Sequence, residues 1–337
     1  MRSSQAVDTV KELIWDPGAP DSAARSELKA ALSQWKLLPY SNLTSAFDRV
    51  TASYVEKMSA QTHLVYSSTP VWLVGVKKLN WDSDFFGIGG IGRLEPLVSV
   101  SVAALSPDAI ASGVEVINRS VDQARQMGLK QLSAPVHCSD SLTHRCLEQS
   151  GFRLMDSIVT YNLNDFSRLD SVVDPCLRKA ELTDMSALSE ISGECFANRL
   201  YNVNRFNSDP QFPSAKVREM YSLWLENSFK AGLADIVFTY VLDGNPVGFI
   251  TATLPTKEDL SLGFKIGRIP LNAVHPNYHG KGVYTKLVKA AVNWLRSQNV
   301  EVIEIKTQLP NAGVHRTWSR LGAHNTCSSH TFHLNLT

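Results

Sequence analysis

The sequence predicts an α+β protein built as two domains of similar plan, each a mixed twisted sheet flanked by helices. Three observations carry that expectation. A self-similarity holds at one fixed offset, an element order recurs in both halves, and the chain's 337 residues suit two domains that each bury a core.

Setting Gly151 of EQSGFRL on Gly322 of SRLGAHN fixes the offset at 322 − 151 = 171. Without a gap, THRCLEQSG (143–151) then falls on VHRTWSRLG (314–322), and TYNLN (160–164) on TFHLN (331–335). INRSVDQARQMG (117–128) falls on VKAAVNWLRSQN (288–299), so that Arg125 faces Arg296, and His144-Arg145 faces His315-Arg316. In both halves the order reads helix, strand, loop, helix, glycine, strand. In the second half Leu287, Val288, Ala291, Trp294 and Leu295 recur at helical spacing, and the helix stops at Asn299. VEVIEIK (300–306) alternates as a strand does, Pro310 and Asn311 open a helix that closes before Gly322, and HTFHLNL is the final strand. Each half also carries an earlier hairpin. HLVYSS (63–68) and VWLVGVKKL (71–79) flank a Thr-Pro turn, while DIVFTYVL and PVGFITATL flank Asp243-Gly244-Asn245. DFSRLDSVVDPCL, over 165–177, reads as the linker, which sets the domains at 1–167 and 176–337.

Composition narrows the class. Apolar residues make up 44% and charged residues 19%, the balance of a globular chain. Lys plus Arg is 33 against 32 acidic residues, so no basic excess exists to displace counterions from nucleic acid, although a local basic pocket is still allowed. MRSSQAVDTVKELIWDPGAP contains no apolar run of the kind a signal peptide or membrane span needs. Five cysteines, at 138, 146, 176, 195 and 327, form no CxxC pair and read as reduced thiols in a cytoplasmic protein. Nine histidines without paired helical spacing give no metal site.

The stretch IPLNAVHPNYHGKGVYTKLVKAAV (269–292) carries the chemistry. A strand ends at Val274, Pro276 breaks it, and a glycine-rich turn leads into a helix near Val283. Such a turn offers a row of backbone N–H groups and the positive end of a helix dipole, an anion cradle suited to a pyrophosphate. Gly280 and Gly282 carry no Cβ to hold a ligand off the backbone. A plain strand-to-helix turn fits the glycines alone equally well.

HPNYHGKGVYTKL resembles the acyl-CoA-binding motif of the GNAT acyltransferase superfamily, Gln/Arg-x-x-Gly-x-Gly/Ala. His279 stands at the opening Gln/Arg position, Gly280 and Lys281 fill the next two, Gly282 and Val283 follow, and Tyr284 replaces the final small residue. A second signature of that superfamily, an Asn opening the last helix with Tyr seven residues on and Gly-Phe soon after, is met by Asn311, Trp318, Gly322 and Ala323. The chain thus resembles two tandem GNAT-like domains. The resemblance implies acetyl-CoA or another acyl-CoA as co-substrate and no metal. It puts the pantetheine arm along Leu271, Asn272, Ala273 and Val274, with the Val274 N–H serving the oxyanion and 279–284 with Asn311 holding the rest. Trp318 stands where the family places the Tyr that protonates the leaving thiolate. An indole N–H is too weak an acid for that task, so Trp318 is expected to wall the thioester while water or Tyr284 supplies the proton. No carboxylate precedes the cradle, and Asn272 could only position a water.

At the same offset GKGVY (280–284) falls on AIASG (109–113), so Gly280 faces Ala109, Gly282 faces Ala111, and Asn311 faces Asp140. The first half therefore resembles a GNAT domain without its cofactor site, with a structural task such as shaping the acceptor cleft. His315-Arg316 recurs in that half as His144-Arg145 and is better explained by folding than by chemistry. Gly87 to Gly92 spells G-x-G-x-x-G, but the strand-like RLEPLVSVSV follows instead of a helix, which excludes a dinucleotide site. LNWDSDFFGIG (79–89) and the segment 199–228 are similar to parts of dTDP-fucosamine acetyltransferases and related amino-sugar N-acyltransferases, while Trp81, Phe85 and Phe86 read as core. The expected function is an acyl-CoA-dependent N-acyltransferase on a small amine, with a nucleotide-activated amino sugar the acceptor that this resemblance implies. Two other readings stand: a GNAT-like domain moving or decarboxylating an acyl group on an acyl carrier protein, and a non-catalytic acyl-CoA-binding scaffold. No nucleic-acid or membrane partner is expected.

Overall fold

The computed structural model describes residues 10–14, 29–38, 40, 47–57, 63–68, 71–99, 105–170, 173–200 and 202–336. The chain forms two compact units. The first runs to Met155 and takes up the chain again from Ser329, and the second is Asp156–Ser328.

In the first unit β1 (Val10–Ile14), β2 (His63–Ser68), β3 (Val71–Lys78) and β4 (Ile91–Ser99) pair antiparallel in that order, and β4 pairs parallel with β5 (Gln131–His137). The helices are α1 (Phe47–Lys57), α2 (Asn80–Phe86), α3 (Pro107–Gln126) and α4 (Ser141–Gln149). Strand alternation sends Trp72, Val74 and Val76 of β3 to one face, where they meet Val116, Ile117, Val121 and Ala124 at helical spacing on α3. The glycines at 87–92 lead into β4 as the sequence suggests. Of the three α2 aromatics, Phe86 is buried, whereas Trp81 is 46% exposed and stacks on Phe85 at 5.0 Å. Trp81 is not core, because a seven-residue helix at the sheet margin can bury only one side.

In the second unit β6 (Arg153–Leu163) pairs antiparallel through Ile158–Leu163 with β12 (Val302–Gln308), whose other edge takes β10 (Ile266–Arg268) in parallel. A four-stranded antiparallel sheet is ordered β11 (Asn272–Val274), β9 (Asn245–Ala252), β8 (Ile236–Leu242), β7 (Leu177–Lys179). The β8–β9 turn has Asp243 and Gly244 at φ 48° and 77°, the paired left-handed residues of a tight hairpin. Helices are α5 (Met185–Ala197), α6 (Arg205–Ser208), α7 (Ser214–Lys230), α8 (Lys257–Ser261), α9 (Val283–Ser297) and α10 (Ala312–Arg320). One face of the strands, with Ile250, Val274, Ile303 and Ile305, forms a core with Leu287, Val288 and Ala291 of α9 and Val314 and Trp318 of α10. Helix α5 packs on α7 and against β9 and β11. No described helix is long and apolar enough to cross a membrane.

The boundaries differ from the expected 1–167 and 176–337. β13 (His324–Asn335) starts in the second unit but pairs through Ser329–Asn335 with β5 of the first. β6 makes the reverse passage. Each half thus completes its sheet with the end strand of the other, and the alternation of apolar residues, which names a strand's faces, says nothing of its neighbour. Nor is 165–177 a bare linker. Asp174 accepts from Lys286 Nζ at 2.7 Å and from the Tyr240 hydroxyl at 3.1 Å, pinning this segment to α9 and β8. The Thr-Pro turn at 69–70 lies outside the described residues.

Candidate active site

A cleft of about 660 Å³ opens within the second unit where β11, the end of β12 and the starts of α9 and α10 converge. Its backbone wall is an unpaired strand edge. β11 is the last strand of its sheet and has β9 as partner on one side only. Leu271 accepts from Thr251 N–H at 2.8 Å and His275 donates to the Val247 carbonyl at 2.9 Å, so 271, 273 and 275 are the positions bonded across to β9. By alternation the N–H groups of Asn272 and Val274 are directed away from β9, toward the open edge. Leu271, Asn272, Ala273 and Val274 all line the cleft.

The glycine turn follows. Gly280 and Gly282 have φ of +75° and +78°, left-handed conformations that L side chains resist, and a Cβ on either would meet nothing within 4 Å. Their surroundings are open space, as a cradle requires. Gly282 caps α9 with no side chain to offer, and the first intrahelical bond runs from Lys286 N–H to its carbonyl at 3.2 Å. The N–H groups of Val283, Tyr284 and Thr285 therefore point past the helix end with no partner in it. His279 Nε2 donates to the Val274 carbonyl at 2.7 Å and ties the turn to β11. Lys281 is the exception among the cradle positions: it does not line the cleft, and its ammonium lies 4.9 Å over the Tyr278 ring. Asn311, at the start of α10, lines the cleft and makes no capping bond to its own helix.

Trp318 departs from expectation. It is fully buried in the core with α9, so it does not wall the cleft. Its indole Nε1–H instead donates to the Tyr284 hydroxyl at 3.1 Å, and Tyr284 does line the cleft. Because the phenol oxygen accepts from the indole, its own proton is free to be directed elsewhere. Burial pushes the Tyr284 phenol well above its ordinary range, so it stays protonated. The two residues belong to separate motifs, and the fold joins the Tyr of one to the Trp of the other.

Two further groups are defined by their bonds. Cys195 lines the cleft with Sγ 3.5 Å from the Val274 carbonyl, and burial, reinforced by Glu194, raises its thiol to about 12. It is therefore a thiol, not a thiolate nucleophile, near neutral pH. His315 has both ring nitrogens committed: Nδ1 to the Tyr161 hydroxyl at 3.1 Å, and Nε2 to the Gln308 and Leu309 carbonyls at 3.2 and 3.0 Å. It fastens α10 to the end of β12, which agrees with the structural reading of the His-Arg pair.

The sequence missed the opposite wall. Phe196 stacks on Tyr221 at 4.5 Å, Trp224 meets Tyr221 edge-on at 5.2 Å, and all three line the cleft. Lys306, Gln308, Arg316 and Arg320 also reach it, and the described lining contains no Asp or Glu. The alternation of VEVIEIK could have singled out Lys306, since Ile303 and Ile305 go to the core. Unbonded helix N–H groups, open glycines and a lining without carboxylates fit a polyanionic cofactor such as a coenzyme A thioester.

Residues 198–323 match the Acetyltransferase (GNAT) family. Solved structures similar along almost the whole chain include a GCN5-related N-acetyltransferase from Sphaerobacter thermophilus (13% identity, TM-score 0.62, 98% of this chain and 96% of that one). A tandem GNAT protein from the clavulanic acid biosynthesis pathway is 13% identical at TM-score 0.54, covering 97% of this chain and 99% of that one. A glucosamine N-acetyltransferase region of a fungal multi-domain GH3 β-N-acetylglucosaminidase is 13% identical at TM-score 0.58, covering 98% of this chain and 38% of that one. No curated protein sequence matches the chain. The GNAT fold thus extends over nearly all of the chain, and its second unit carries a GNAT acetyltransferase domain that makes the protein an acyltransferase.

Proposed function

We propose that the protein is an acyl-CoA-dependent N-acyltransferase whose single cofactor site lies in the second unit, with acetyl-CoA as donor and a small amine as acceptor. The amine is of the amino-sugar kind, including nucleotide-activated sugars, a reading that rests on the likeness of 79–89 and 199–228 to amino-sugar N-acyltransferases. The observation that carries the proposal is the open edge of β11 running into the glycine cradle, so that the Val274 N–H and the first-turn N–H groups of α9 face one cleft.

The donor supplies an acyl group activated as a thioester. Residues 280–285 hold its phosphates through backbone donors and the helix dipole, and Asn311 offers an uncommitted side-chain amide beside them. The Val274 N–H is the donor for negative charge developing on the carbonyl oxygen, a role a rigid strand performs without reorganisation. Tyr284 holds a proton at its hydroxyl for the leaving sulfur, and Trp318 is a positioning residue that fixes that hydroxyl from behind. Burial keeps Cys195 a thiol, which supports direct transfer to the amine over an acyl group held on the cysteine. The amine's proton leaves to solvent, since no carboxylate is among the described residues that line the cleft. The proton source at Tyr284 supports amine acylation over carrier-protein chemistry.

Incubation with acetyl-CoA and a panel of amines, followed by thiol release and by mass spectrometry of the acceptor, tests the proposal. One N-acetylated product per thiol released is expected. Tight acetyl-CoA binding with no product from any amine would refute it.

A further inference from the structure

We infer that the acceptor is an amine carrying an anionic group, a carboxylate or a phosphate, and that Lys306 receives that group on the side of the cleft away from the cradle helix. The inference deepens the N-acyltransferase reading and rests on it for the word acceptor.

The argument begins with the faces of β12. Ile303 and Ile305 enter the core with α9 and α10, so strand alternation sends Lys306 and Gln308 to the opposite face. Lys306 thus stands away from the cradle that takes the cofactor's phosphates, whereas Arg316 and Arg320 lie on α10 itself. Asn202, in the loop after α5, donates to the Gln308 side chain at 3.4 Å, which brings a polar pair to the same face. Phe196, Tyr221 and Trp224 supply the apolar shelf.

Charge decides the class. The described lining holds three cationic side chains and no carboxylate. Glu304 approaches Lys306 at 3.8 Å from outside the lining, in a pair whose lysine side chain is 62% exposed, a geometry that neutralises little. A polyamine would meet repulsion and find no counter-charge, whereas an anionic substituent meets a cation and two amide groups. The same field serves the chemistry: a nearby cation disfavours the ammonium form of the acceptor and raises the fraction of free amine, in a cleft whose described lining contains no carboxylate base.

Two matched pairs of probes test this on the intact chain saturated with CoA: glucosamine 6-phosphate against glucosamine, and glycine against glycinamide. Calorimetry should show at least tenfold tighter binding of the anionic member in one pair, and the pair that responds identifies phosphate or carboxylate. Lys306→Gln should abolish that preference while leaving CoA affinity within twofold, and Lys306→Arg should keep it. No preference in either pair, or a preference untouched by Lys306→Gln, would overturn the inference. Because the readout is binding, an anionic preference without N-acetyl product would refute the transferase reading and leave the anion site standing.

Discussion

At the fixed offset Ala109–Gly113 faces Gly280–Tyr284, yet α3 already begins at Pro107 whereas α9 begins only at Val283. The first helix closes on itself. Pro107 occupies its first turn, where no N–H is needed, and the Ser106 hydroxyl accepts the Ala109 N–H at 3.1 Å. The second leaves the same donors without a side-chain cap, since its cap is a glycine. The partner helices repeat the contrast. Asp140 spends its carboxylate on Thr143, N–H at 3.1 Å and hydroxyl at 2.8 Å, while Asn311 makes no such bond. Between each pair of helices, Gly113 packs so closely under Trp72 and Cys146 that a Cβ would collide with both, where the second unit has Tyr284 bonded to Trp318. One helical architecture is sealed by its caps in the first unit and left uncapped in the second.

The sharpest way to break this comparison is to empty the second unit's helix pair. Trp318→Ala deletes a fully buried indole and should cost about 3–5 kcal/mol of stability, seen in thermal or denaturant unfolding of the ligand-free protein. A much smaller loss would mean that Trp318 belongs to the cleft after all. Tyr284→Phe removes only a hydroxyl and should lower kcat about a hundredfold with acetyl-CoA affinity unchanged, the scale of a lost general acid. Trp318→Phe should depress kcat in the same direction by a smaller factor, with unfolding little changed, as expected of a residue acting through Tyr284. Full activity in Tyr284→Phe would return the proton to water.

Asn311→Asp imports the first unit's residue. It should weaken acetyl-CoA binding about tenfold, roughly 1.4 kcal/mol, by setting a carboxylate beside the cofactor. Calorimetry of the intact chain should in any case report one site; two would dissolve the distinction between the units. The smallest effect belongs to the first unit. Burial, with His330 adding to it, holds His144 below its ordinary value, so the fold prefers the neutral ring. That preference contributes stability above about pH 6.5 and is lost as pH falls below it. Denaturant midpoints at pH 7 and pH 5 should show the loss, and His144→Asn should shrink it.

Much of the candidate site's backbone geometry was legible because its signals are local. Glycine at 280 and 282 and the strand before them act through backbone geometry that neighbours in sequence determine, and the Asp243-Gly244 turn is of the same kind. The Tyr284–Trp318 bond was not legible, since it joins the first turn of one helix to the middle of another. A position in a motif puts Trp318 at the cleft, but a helix of nine residues has a buried face and an exposed one, and only packing says which residue lies where. The alternation of β12 marks Lys306 as off the core, whereas the Phe196–Tyr221–Trp224 shelf is not legible, because no spacing rule links α5 and α7 to β12.

The strand that completes the first unit has a consequence for synthesis. β5 offers its free edge to Ser329–Asn335, so that edge waits for a partner about two hundred residues further along the chain. At translation rates of about 5–20 residues per second, the interval is on the order of ten to forty seconds. During it, Leu132, Ala134 and Val136 sit in a strand with an unsatisfied ladder, the form most prone to pair with a neighbouring nascent chain. The ribosome thus finishes the first unit after the second, and loss of the Ser329–Asn335 strand would injure the earlier-made unit, not the later one.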